Sequence, residues 1–264
     1  MITRDKKIYR ILVVEDNPGD FFIVKDLLSD YILNPVITNA VNFKEAVALV
    51  GAADKIFDVI LLDISLPDKS GKALVTEMLQ AAPLCPVIIL TGYTDVDFSI
   101  KSISQGIMDY LLKEDLNAAV LYKSIVYSIE RKKSIFDLTE SEKRYSDLFH
   151  LSPQPMWVFE LETLQFIDVN NAAIKHYGYS LEEFLQMTIT EIGANKNNPG
   201  MENFMQKARQ HDQFFFKDTV RHKKKNGQVI HVEIHSDTII IDGKKARLAV
   251  INDVTERINY FGAI

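Results

Sequence analysis

Between residues 8 and 113 the chain alternates short apolar runs with amphipathic stretches. The runs 11–14, 59–62, 87–90 and 107–112 (with Asp109 and Tyr110 inside the last) are rich in Ile, Val and Leu. Each has the length of a buried strand, and such continuous apolar character suits a parallel sheet covered on both faces. A weaker run, 36–41, predicts a fifth strand. Residues 21–28, 43–50, 72–79 and 97–104 carry helical patterns between them. Strands alternating with helices predict a doubly wound α/β domain over residues 1–130.

From 116 to 149 the pattern stays helical and becomes charged. Leu121, Ile125, Ile129 and Phe136 recur at helical spacing, and Lys132 interrupts the stripe. This predicts a last helix running on as a helical linker. Its seam is too short to establish a coiled coil, so a homodimer through this helix or the second domain stays an open alternative. Residues 150–258 differ in texture. Strands are expected at 156–160 and 165–169. Asn170 or Asn171 can cap a short helix, and Ser180 with Glu183 forms a capping box for another. Three antiparallel strands are expected after these at 214–221, 228–241 and 244–253, with turns at Asn226-Gly227 and Asp242-Gly243, dipeptides that tolerate positive φ. The order predicts an α+β fold, with 259–264 as a tail.

Composition narrows the function classes. At 264 residues the chain has room for two moderate domains. No segment approaches the ~20 apolar residues that span a bilayer, and the charged start MITRDKKIYR does not read as a signal peptide. Cys85 is the only cysteine, which excludes an intrachain disulfide and suits a reducing compartment. A net charge of −6 gives no general reason to expect nucleic acid. The expectation is a cytoplasmic protein with no membrane or nucleic-acid partner.

The residues at the strand ends carry the chemistry. The first strand ends in Glu15-Asp16, the third in Asp63, the fourth in Thr91 and the fifth in Lys113. In an open parallel sheet the C-terminal strand ends share one edge, where ligands bind. Any one acidic residue there could merely cap a helix or face water. Five complementary groups at the ends of four strands point instead to a cleft. Clustered carboxylates need a cation to offset them, and hard oxygen ligands suit Mg²⁺, or Mn²⁺ in its place. Lys113 and Thr91 could each serve a phosphoryl oxygen. That is equipment for phosphoryl transfer to a carboxylate.

Residues 8 to about 130 resemble a response regulator receiver domain, through ILVVEDN, VILLDISLPDKSG, PVIILTG and MDYLLKEDL. The resemblance implies a flavodoxin-like sheet of order 2-1-3-4-5 and Asp63 as phosphoacceptor. It implies metal binding by Asp16, Asp63 and the Ser65 carbonyl, with Glu15 acting through water. Thr91 and Tyr110 would be the switch pair, altering the surface at the fourth helix and fifth strand on phosphorylation. The implied partner is a sensor histidine kinase or a phosphotransfer protein. One departure is Glu114, which stands where most receivers have a cis proline, leaving the backbone after Lys113 less constrained.

Residues 141–258 resemble a PAS domain, through SEKRYSDLFHLSPQPMWVFE, FIDVNNAAIKHYGYSLEEF and KNGQVIHVEI…LAVINDVTER. This implies a five-stranded antiparallel sheet with helices over one face, and a ligand of unknown kind. A flavin adduct needs a cysteine that the domain lacks. Haem needs an axial ligand, for which His176 and His211 are poor candidates. His231, Glu233 and His235 share one strand face, where a polar outer face is the simpler reading than a metal site. The basic run 221–225 reads as a solvated hairpin tip, and Trp157 and the phenylalanines of 214–216 as core or interface.

Together these readings describe a receiver–PAS signalling protein whose catalysis is limited to its own phosphorylation and dephosphorylation. The alternative is the N-terminal part of a hybrid sensor histidine kinase whose kinase core lies outside this chain. A DNA-binding regulator would need a helix-turn-helix or basic recognition face, which the sequence does not show.

Overall fold

The computed structural model describes residues 4–52, 56–92, 103–194 and 213–261. It divides into two compact units, residues 1–140 and 141–264.

The first unit is built on five parallel strands: β1 (Arg10–Val14), β2 (Val36–Ala40), β3 (Val59–Asp63), β4 (Val87–Thr91) and β5 (Asp109–Leu112). Their order is β2-β1-β3-β4-β5, the doubly wound flavodoxin-like arrangement the sequence predicts. Every residue of β3 and β4 is buried, as central strands covered on both faces must be. Alternation sends Leu12, Val14, Ile60 and Leu62 into one core layer and Ile11, Val13, Val59 and Leu61 into the other.

Helix α1 (Pro18–Tyr31) starts where Asn17 caps it, accepting from the Gly19 amide, with Pro18 in the first turn. Helices α2 (Phe43–Gly51) and α3 (Gly71–Ala81) come after β2 and β3. Gly71 has φ +61° at the start of α3, a conformation that favours glycine. The helix predicted over 97–104 lies, apart from its last two residues, outside the described residues.

Helix α4 (Ala118–His150) runs for 33 residues without a break. Leu121 and Ile125 are fully buried, Ile129 packs at the core's margin, and Phe136 is largely exposed. The predicted stripe therefore ends near Ile129, as the interruption at Lys132 indicates.

The second unit is a five-stranded antiparallel sheet of order β7-β6-β10-β9-β8. Its strands are β6 (Met156–Glu160), β7 (Phe166–Val169), β8 (Gln213–Lys223), β9 (Val229–Ile241) and β10 (Lys244–Asp253). Among the described residues, four short helices accompany it: α5 (Asn171–Tyr177), α6 (Leu181–Leu185), α7 (Ile189–Ile192) and α8 (Thr255–Phe261). Helix α8 occupies part of the expected tail. Asn170, rather than Asn171, caps α5, and the Ser180–Glu183 capping box is present at α6. The β9–β10 turn has both Asp242 (φ 49°) and Gly243 (φ 76°) left-handed, the two-residue hairpin geometry expected. At the β8–β9 tip only Gly227 (φ 89°) is left-handed. There the Gly227 amide donates to the Lys224 carbonyl, so the turn spans 224–227 and Gly227 closes it. Trp157, Phe159, Phe166, Tyr177 and Phe184 fill the core with mostly edge-to-face ring contacts.

Candidate functional site

Glu15 lies just past β1, Asp63 ends β3 and Lys113 lies just past β5, so the C-terminal sheet edge gathers side chains 50 and 98 residues apart in sequence. Lys113 Nζ donates to Asp63 Oδ2 at 2.6 Å, to Glu15 Oε2 at 2.7 Å and to Asp20 Oδ2 at 2.7 Å. The ammonium has three protons and each has a carboxylate. Asp63 is further fixed by the Ser65 amide, which donates to Oδ1 at 3.0 Å. Glu15 also accepts from the Asn17 amide at 3.1 Å.

Burial sets the electrostatics. Glu15 is 2% exposed and Asp63 7%. Burial raises the Glu15 pKa, the neighbouring Asp63 adds to the effect, and Lys113 opposes it. For Lys113, burial disfavours the charge, but Asp20, Asp63 and Glu15 together outweigh burial and hold its pKa above the ordinary value.

Oxygens of Glu15, Asp20 and Asp63 lie within 4.8 Å of one another, the one such acidic group among the described residues. An all-oxygen set around a seated cation fits a hard divalent ion. Asp16 is exposed and stands outside this group. Ser65 lies in the loop after β3, forming an isolated bridge with Ser70. Thr91 is buried, and the register pairing Asp63 with Leu90 places it one residue further along the neighbouring strand. Tyr110 is partly buried against the core layer on one sheet face. Lys113 opens a short 3₁₀ turn, Lys113–Asp115, and the peptide to Glu114 is trans.

Asp20 is a site residue that the strand-end pattern does not pick out. A signal for it is nonetheless present in the sequence: Asn17-Pro18 marks a helix start directly after β1, placing Asp20 in the first turn above the strand ends.

The family model for the response regulator receiver domain matches residues 11–125, and that for the PAS domain matches residues 153–256. This chain is a receiver domain followed by a PAS domain. The transcriptional regulatory protein ZraR of Escherichia coli K12 is 29% identical over 121 residues, 45% of this chain and 26% of that protein. The DNA-binding transcriptional regulator NtrC of Salmonella typhimurium is 41% identical over 73 residues, 27% of this chain and 16% of that protein. The chain thus spans about a quarter or less of the length of these curated relatives. A CheY-like receiver from Methanospirillum hungatei JF-1 is similar to the chain at 24% identity. It covers 48% of this chain and 98% of its own, with a TM-score of 0.42. A PAS domain from a two-component sensor histidine kinase is 18% identical, covering 44% of this chain and 98% of its own, with a TM-score of 0.38.

In the PAS domain, His176 lies 3.1 Å from Asp253 Oδ2. His231, Glu233 and His235 share the outer face of β9 as alternation predicts, and Glu233 pairs with Arg257. The basic hairpin tip is held by Lys225, which donates to Glu183 at 2.6 Å and lies over the Tyr179 ring. Trp157 is fully buried. His211 lies outside the described residues, as do the side chains of Phe214, Phe215 and Phe216. His222, which the sequence pattern does not single out, is fully buried with its Nδ1 2.8 Å from the Tyr177 hydroxyl. No helix among the described residues is long and apolar enough to cross a membrane.

Proposed function

We propose that the receiver domain takes a phosphoryl group onto Asp63 from a sensor histidine kinase or a phosphotransfer protein. The observation that carries this reading is the seating of Lys113 against Asp63 at the sheet edge, inside an acidic group able to hold a divalent ion. Asp63 is the nucleophile, and Lys113 neutralises a phosphoryl oxygen once it arrives. In this reading Asp63, the Ser65 carbonyl and the exposed Asp16 next to Glu15 would bind Mg²⁺ or Mn²⁺, with Glu15 acting through water, and the ion would supply the positive charge that lets a phosphate approach. Thr91 and Tyr110 read the phosphoryl group and change the surface beyond β4 and β5. Catalysis is confined to the domain's own phosphorylation and dephosphorylation.

Helix α4 begins on the receiver core and continues to His150, which makes it the route by which that change reaches the PAS domain. In this reading a homodimer would form through α4 or the PAS domain. The likeness to ZraR extends over 121 residues of this chain and that to NtrC over 73. It supports receipt of the signal, and the outputs in this reading are protein partners rather than nucleic acid, in a cytoplasmic setting.

Incubation with acetyl phosphate and Mg²⁺, followed by intact-protein mass measurement, tests the proposal. Wild type is expected to gain one phosphoryl group and Asp63→Asn none. Equal gain by both would overturn it.

A further inference from the structure

We propose that Asp20 is a positioning residue for phosphoryl transfer at Asp63, holding one of the three Lys113 donors at rest and surrendering it to the incoming phosphoryl group. This rests on the reading of Asp63 given above. The Lys113 ammonium is saturated: its three donors are taken by Glu15, Asp20 and Asp63 at 2.6–2.7 Å. A phosphoryl oxygen can be served only when one of these contacts is released. Glu15 is 2% exposed at its side chain, so losing its counter-charge leaves a carboxylate out of reach of water. Asp63 is the group that reacts. Asp20 is 33% exposed at its side chain and can be rehydrated at least cost. It is the contact that opens.

In the transfer itself, an Asp63 carboxylate oxygen forms a bond to phosphorus as the bond from phosphorus to the donor's leaving oxygen breaks, the electron pair going to the leaving acetate. No proton need move. Lys113 swings its third N–H from Asp20 to a phosphoryl oxygen. Asp20 also adds a negative charge within 4.8 Å of the other two carboxylates. That charge attracts a divalent ion and repels a phosphate donor, so its two effects have opposite sign.

Three quantities would be measured on full-length wild type, Asp20→Asn, Asp26→Asn and Asp63→Asn. They are the Mn²⁺ dissociation constant from the free-ion EPR signal, the KM for acetyl phosphate at saturating Mg²⁺, and the phosphoryl group gained by mass. Asp26 is an exposed carboxylate on the same helix, so its variant controls for a general change in charge. Asp20→Asn is expected to weaken Mn²⁺ binding and lower the acetyl phosphate KM, each about fivefold, with Asp26→Asn unchanged in both. A purely structural role for Asp20 would raise the KM along with the dissociation constant. An unchanged or raised KM in Asp20→Asn, with wild type still phosphorylated on Asp63, overturns this proposal alone. Failure of wild type to gain a phosphoryl group that depends on Asp63 overturns both.

Discussion

Lys113 supplies the positive charge that lets Glu15 and Asp63 sit side by side with almost no access to water. Removing one partner of such a cluster is costlier than the cluster's net worth, because the others are left buried and uncompensated. Lys113→Ala is therefore expected to lower the unfolding free energy of the receiver by about 2 kcal/mol without divalent ions. Millimolar Mg²⁺ should restore part of that loss, since a cation at the same place replaces the missing charge. Urea titrations of both proteins with and without Mg²⁺ check this, and a loss indifferent to Mg²⁺ would contradict it. In the PAS domain, burial first and then the charge of His176 push the His222 pKa from 6.5 down to about 3. Between those two values the unfolded chain binds a proton that the folded chain refuses. Stability due to this group is thus complete above about pH 6.5 and falls on acidification, by up to about 1.4 kcal/mol per pH unit. Trp157, the only tryptophan, is buried in the PAS core and reports that domain's unfolding. Between pH 6.5 and 5, stability should fall more steeply in wild type than in His222→Phe, by about one proton's worth. Equal slopes would contradict the assignment.

Helix α4 joins two regimes within one element. Its first three turns bury Leu121, Ser124, Ile125 and Ser128, and no residue beyond Ser128 is fully buried. Leu121→Ala is expected to cost about 3 kcal/mol of receiver stability. Leu138→Ala, 61% exposed at the native leucine, should change it by less than about 0.5 kcal/mol. Denaturant unfolding compares them, and similar losses would show that the outer half of α4 is packed after all. The end of the buried regime is legible in the sequence because Lys132 breaks the apolar spacing. The strands are legible for a similar reason: a buried parallel strand such as 59–62 needs an unbroken apolar run, and little else has that form. The β8–β9 turn is less so. Asn-Gly tolerates the two-residue hairpin geometry but does not require it, and here the strand register places Gly227 at the closing position of a longer loop. Of the site, Glu15, Asp63 and Lys113 are legible because strand ends converge by topology. Asp20 reaches the cleft from the first turn of a helix, and no strand-end rule points to it.

At the scale of the molecule, the fully buried Asn170 fastens the end of α4 into the PAS domain. Its Oδ1 accepts from the Met156 and Ala173 amides, and its Nδ2 donates to the Phe149 and Gln154 carbonyls at 3.1 and 2.8 Å. All four of its hydrogen-bonding positions are used. A helix that starts in the receiver core thus ends hydrogen-bonded to a residue that also anchors β6 and α5. In the function proposed for the chain, the phosphoryl group is the input to that path, and everything downstream depends on where it lands. The most direct test is chemical trapping. After reaction with acetyl phosphate and Mg²⁺, borohydride reduces an aspartyl phosphate to homoserine, which peptide mass mapping can locate. The account predicts homoserine at position 63 and nowhere else. Trapping at another carboxylate, or none from a protein that has gained phosphate, would contradict it.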